Sequence, residues 1–158
     1  MENGNNILIK ELEKLLRGGG AHVGFNEVIA NLPENLLGKR PDDLPYSIWQ
    51  LIEHLRIAQA DMLDFCQNSN YQSLNWPDDY WPKELAPKDK DAFDASVQAF
   101  QADLEAFIEL MRKSDLYTPF PHGDGQTLLR EALQIADHNA YHVAEIVVIR
   151  RLLHAWKS

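Results

Sequence analysis

The sequence predicts an all-α fold, a four-helix bundle joined by long loops, and three observations carry that expectation. Four stretches carry helical apolar patterns, three as stripes at spacings of three and four and the last around much of its circumference. Segments rich in Pro, Asn and Asp separate them. At 158 residues, 45% apolar and 25% charged, the chain has the length of one domain, residues 1–158, and enough apolar material for a core.

Segment one, Asn5 to Asn31, would place Leu8, Leu12, Leu15, Gly19, His22, Asn26 and Ile29 on one stripe. Gly18, Gly19 and Gly20 interrupt it, each at a cost of about 1 kcal/mol against alanine within a helix, so a break there is the alternative. We read one helix, because a stripe that is apolar at its ends and small and polar in its middle suits the wall of a polar pocket. Segment two starts at the N-cap candidate Ser47 and runs to Phe65, burying Ile48, Leu51, Ile52, Leu55, Ala58 and Met62. Segment three, Asp89 to Lys113, has the cleanest stripe: Phe93, Val97, Phe100, Leu104, Phe107 and Met111. Segment four, Gln126 to Trp156, is free of glycine and apolar around much of its circumference, which predicts the most buried helix of the set. Of the connections, Leu32 to Tyr46 and Asn68 to Lys88 are long enough to be lids or crossovers. The second carries Trp76, Tyr80 and Trp81 between prolines, aromatics that either cover a pocket mouth or seal an end of the bundle.

A net charge of −9 with scattered Lys and Arg argues against a nucleic-acid surface. The adjacent Arg150 and Arg151 read as a solvated or interhelical pair. A single cysteine, Cys66, excludes an internal disulfide and reads as a small buried residue. The longest apolar run, Ile146 to Ile149, is far too short to span a bilayer, and the N-terminus lacks the regions of a signal peptide, so we expect a cytoplasmic protein without a membrane partner.

His138 and His142 carry the functional signal. Spaced i, i+4 inside segment four, they share a helix face and can converge on one point without a loop to position them. A third histidine, His54, sits inside segment two among Leu51, Leu55 and Ala58. Three imidazoles with an open position describe a catalytic metal site, and imidazole suits zinc and nickel as well as copper and iron. His154 lies twelve residues past His142, about 18 Å along the helix and roughly 120° around it, and cannot join them. Glu145, three residues past His142, is a candidate general base or orienting partner, or else a salt-bridge partner of Arg56 or Arg150. Asp137 points away from His138 and reads as solvated or paired with another helix. His22, Asn26, Trp49 and Trp81 are candidates for the pocket wall, whereas His122, in the turn before segment four, reads as structural.

These residues sit in longer runs: Leu32-Pro33 to Arg40-Pro41, Tyr46-Ser47-Ile48-Trp49-Gln50-Leu51-Ile52-Glu53-His54-Leu55, and His138-Asn139-Ala140-Tyr141-His142-Val143-Ala144-Glu145-Ile146 continuing to Arg150-Arg151-Leu152-Leu153. In that order and spacing the chain resembles the DinB-like family, which includes the YfiT-type proteins and bacterial low-molecular-weight-thiol transferases, over almost its whole length. The resemblance implies a four-helix bundle of non-standard helix order and one divalent metal on His54, His138 and His142. Many members carry Gly-Gln after the last histidine where this chain has Ala144-Glu145.

The expected function is therefore that of a divalent-metal-dependent enzyme. Zinc or nickel would activate water for hydrolysis, or a thiol for transfer, on a small-molecule substrate. A non-catalytic metal- or ligand-binding stress-response bundle is the alternative from another class. A third reading makes the histidines core packing in a structural homodimer.

Overall fold

Residues 2–18, 20–41 and 44–156 are described by a computed structural model of the chain, the side chains of residues 2–4 excepted. Long helices form where the periodic stripes lie: α1 (Glu2–Arg17), α3 (Ile48–Gln67), α4 (Lys90–Lys113) and α5 (Leu128–Leu152), with a short α2 (Phe25–Ile29) after the first. Side-chain caps set three of the starts. Ser47 Oγ accepts the Gln50 N–H while Gln50 Oε1 accepts the Ser47 N–H, both at 3.1 Å, and Asp89 and Thr127 accept from Ala92 and Arg130.

Segment one is not a single helix. The chain leaves α1 at Gly18, whose φ of +73° suits glycine, and a Cβ there would lie 2.7 Å from the Cα of Gly24. The two arms of this turn touch backbone to backbone, so glycine serves a close reversal and not an inward helix face. Gly19 lies outside the described residues. Segment four is also shorter than its pattern. His154, with φ +56°, takes the chain out of the helix, and Arg150 binds the Ala155 carbonyl beyond it. Nor is α5 shielded all round, because Leu133, Tyr141, Val148 and Leu152 are exposed along the face that no other helix covers.

Helix α3 packs against α4 and α5, and α1 against α5 and α4, so α1/α3 and α4/α5 are the diagonals of the bundle. Sequence neighbours α1 and α3 therefore sit at opposite corners, as do α4 and α5, which is why the connections are not simple hairpins. Two apolar clusters fill the interior. One gathers Phe25, Val28, Leu37, Ile48, Ile52, Leu55, Phe100, Val143 and Ile146; the other gathers Leu12, Leu16, Leu63, Leu104, Phe107, Ile108, Met111, Leu128 and Ile135.

Between the clusters lies a polar layer. Gln59, fully buried, donates to the Phe100 carbonyl at 2.7 Å and accepts from Asn139 Nδ2 at 3.0 Å, joining α3, α4 and α5 across the core. The three histidines of α3 and α5 occupy the same level of the bundle.

Candidate metal centre

Positions 54, 138 and 142 bring one ring nitrogen each to within 4.8 Å of one another. His54 is 2% exposed and His142 8%, with His138 half-buried between them. The separation between His54 Nε2 and His138 Nε2 is 3.0 Å.

The hydrogen bonds around the cluster fix which nitrogens face inward. His54 Nδ1 lies 2.9 Å from the Tyr80 carbonyl, and because a carbonyl only accepts, that nitrogen carries the proton and Nε2 is a bare lone pair. His142 Nδ1 lies 2.6 Å from Glu145 Oε2, which assigns its proton in the same way. His138 differs: its Nδ1 is buried without a partner. If its Nε2 carries the proton, it donates to His54; if its Nδ1 does, two lone pairs face each other at 3.0 Å, an arrangement that a cation between them would resolve.

Burial, together with repulsion from His142 and His54, pushes His138 down to about 4. Burial also lowers His54, against the Tyr80 carbonyl, which favours the charged ring. Both rings are thus neutral at neutral pH, the form that binds metal. Ring nitrogens converging from two helices, two of the rings with outward Nδ1 protons held by a carbonyl and a carboxylate, fit a divalent metal ion and the usual surroundings of histidine ligands.

Trp81 lies flat on His54, ring centroids 3.8 Å apart and planes within 2°, and Tyr46 stacks on the far face of Trp81 at 3.8 Å. The aromatic loop thus roofs the histidines at Trp81, while Trp76 stays exposed. Glu145 pairs with neither Arg56 nor Arg150: Arg56 binds Glu53, and Arg150 binds backbone carbonyls. Glu145 also borders an apolar cleft of about 350 Å³ with Leu44, Tyr46, Tyr141 and Val148.

Three expected pocket residues lie elsewhere. His22 and Asn26 are exposed and line a small cavity of about 120 Å³ with Gln101, Asn139 and Val143, on a flank of α5 that does not include His138 or His142. The break at Gly18 put them there. Trp49 is buried in the apolar cluster, about 140° around α3 from His54. His122 is exposed and holds the Phe65 carbonyl at the end of α3, and Asp137 is exposed. Cys66 packs in the other apolar cluster, where burial and then the nearby Glu131 push its thiol up to about 12.

Sequence reasoning missed Gln50 and Asp61, which share a stripe of α3 with Ser47 and His54. Ser47 donates to the Leu85 carbonyl, Gln50 to the Pro82 carbonyl, His54 to the Tyr80 carbonyl, and Asp61 accepts from the Tyr71 and Tyr80 hydroxyls. Positions 47, 50, 54 and 61 share one helical face, and a run of polar residues on that one face was the signal that could have found them.

Among the described residues no helix is long and apolar enough to cross a membrane. No curated protein and no solved structure matches the chain. The family model of the DinB superfamily matches residues 22–146, a span that takes in all three histidines, the roofing loop and Glu145. With an all-helical fold and that match over most of its sequence, the chain belongs to the DinB superfamily.

Proposed function

We propose that the protein is a divalent-metal-dependent enzyme acting on a small molecule, with His54, His138 and His142 as the ligands of zinc or nickel. The observation that carries the reading is the convergence of three imidazoles, two of which have their protonated nitrogens turned outward. Bound there, the ion would supply the acidity that turns water into a hydrolytic nucleophile, or a thiol into one for transfer.

The chain's own residues hold the rings and shape access. The Tyr80 carbonyl and Glu145 fix His54 and His142 and make them better donors. Since Glu145 Oε2 is spent on the outward Nδ1 of His142, its role is that of an orienting carboxylate and not of a base at the inner face. Trp81 keeps water from one side of His54. Cys66, buried away from the histidines with its thiol protonated, offers no nucleophile, so a transferred thiol would enter as a low-molecular-weight second substrate.

A second reading, a bundle that binds metal without turnover, draws on the same Trp81 roof, because a covered site suits storage as well as catalysis. Elemental analysis of protein purified without a histidine tag tests the shared premise, and absence of bound metal together with indifference to added zinc and nickel would sink both readings. Chelator-sensitive turnover, in a panel of small esters and amides and in thiol plus electrophile mixtures, separates enzyme from binder.

A further inference from the structure

We propose that Asp61 is a positioning residue for His54, acting through Tyr80. Asp61 lies seven residues beyond His54 on α3, two turns or about 10 Å along the same face. Tyr80 spans that interval. Its carbonyl takes the His54 Nδ1 proton at 2.9 Å, while its hydroxyl donates to Asp61 Oδ2 at 2.6 Å. The other carboxylate oxygen accepts the Tyr71 hydroxyl at 2.9 Å, so both ends of this part of the loop are tied to one side chain.

The geometry makes the carboxylate responsible for a nitrogen it never touches. A backbone carbonyl in a loop can fix a ring only if the loop itself is fixed. Gln50 holds the Pro82 carbonyl on one side of Tyr80, and Asp61 holds the Tyr80 side chain on the other. Burial and the hydrogen bond to Asp61 both raise the Tyr80 phenol, so it stays a donor across the physiological range. With the hydroxyl released, the peptide of Tyr80 can turn, His54 Nδ1 loses its acceptor, and the inward nitrogen no longer has to be the bare one.

The orienting role concerns the ring whether or not metal binds; its consequence for metal affinity rests on the function proposed above. The test uses the full chain as wild type, Tyr80→Phe, Asp61→Ala and, as control, Tyr71→Phe, which shares the carboxylate but not the His54 contact. Long-range proton–nitrogen spectra of the metal-free proteins report the His54 tautomer. Titrations with zinc and with cobalt, the latter read by its visible absorption, report the site.

The wild type and Tyr71→Phe should show His54 protonated at Nδ1 alone. Tyr80→Phe and Asp61→Ala should show mixed tautomers, a changed cobalt spectrum and zinc affinity lower by about tenfold. Should one variant fail to fold, the tautomer of the other decides the question by itself. If both fold and keep the wild-type tautomer, Asp61 has no positioning role. A wild type that binds neither metal but loses its single tautomer in Tyr80→Phe would overturn the proposed function and leave the Asp61 assignment standing.

Discussion

Zinc should stabilise this fold by an amount that one substitution abolishes. Tetrahedral coordination at 2.0 to 2.1 Å separates donor atoms by roughly 3.3 to 3.4 Å. The His54 and His138 nitrogens are 3.0 Å apart, so the rings must part by only about 0.3 to 0.4 Å. A movement that small needs no change of rotamer and costs well under ~1 kcal/mol. With free zinc at about 100 times its dissociation constant, mass action then adds about 2.7 kcal/mol. For a domain of this length each kcal/mol moves the melting temperature by roughly 2 to 4 °C, so the expected rise is about 5 to 11 °C. His142→Ala removes one donor and frees Glu145, which is 37% exposed and can hydrate, so the variant should fold. Thermal melts near neutral pH, with chelator and then with zinc, should show the full shift in the wild type and almost none in His142→Ala. Equal responses in the two proteins would refute the assignment of His142 as a ligand.

Other outcomes follow from the same contacts. In chelator-treated protein, the unfolded chain takes up protons on imidazole near pH 6.5 while folded His138 resists until about 4, so stability should be full above that range and fall by about 3 kcal/mol as the pH drops through it; a flat profile between these values in denaturant titrations would contradict the neutral, buried ring. Arg150, 5% exposed, donates to the Val28 carbonyl at 2.6 Å, the Ala30 carbonyl at 3.1 Å and the Ala155 carbonyl, so Arg150→Met should cost about 2 to 4 kcal/mol in urea unfolding without altering zinc affinity. Gly18→Ala should cost about 1 to 2 kcal/mol in the same assay, because φ is +73° and the added Cβ meets the Gly24 backbone.

The histidine cluster was legible because helices transmit spacing to space. His138 and His142 could be placed on one face from their numbers alone, and the stripes of α3 and α4 were visible in Ile48 and Phe100 alike. The break at Gly18 was not legible in the same way. A helical register through Leu8, Leu12 and Leu15 extends to His22 and Asn26 across the three glycines at about 1 kcal/mol each, and the backbone contact of Gly18 with Gly24 shows the chain turning instead. Leu15 itself is 57% exposed, so even within α1 the extrapolated stripe drifted from the buried residues Leu12 and Leu16. Arg150 reads from sequence as part of a solvated or interhelical pair, and the carbonyls it binds, near residue 30 and at residue 155, are announced by no pattern of side chains.

Ring orientation was equally hidden, and it bears on how the site would take up an ion. His54 is held by a carbonyl in a loop far away in sequence, and His142 by a carboxylate one turn away. Each of those rings has one proton position and one inward lone pair. His138 has no such anchor, because its Nδ1 finds no partner and the neighbouring Asn139, though it bonds Gln59 through Nδ2, leaves its own Oδ1 unpaired. A donor-capable nitrogen and a free acceptor oxygen on consecutive residues leave one adjustment open within the polar layer: with the proton moved to Nδ1, a modest rotation can bring His138 toward an acceptor while its Nε2 turns to the ion. The small separation that coordination demands between His54 and His138 therefore falls to His138. On the function proposed above, the two anchored rings would keep their inward nitrogens in place and the unanchored His138 would make the adjustment.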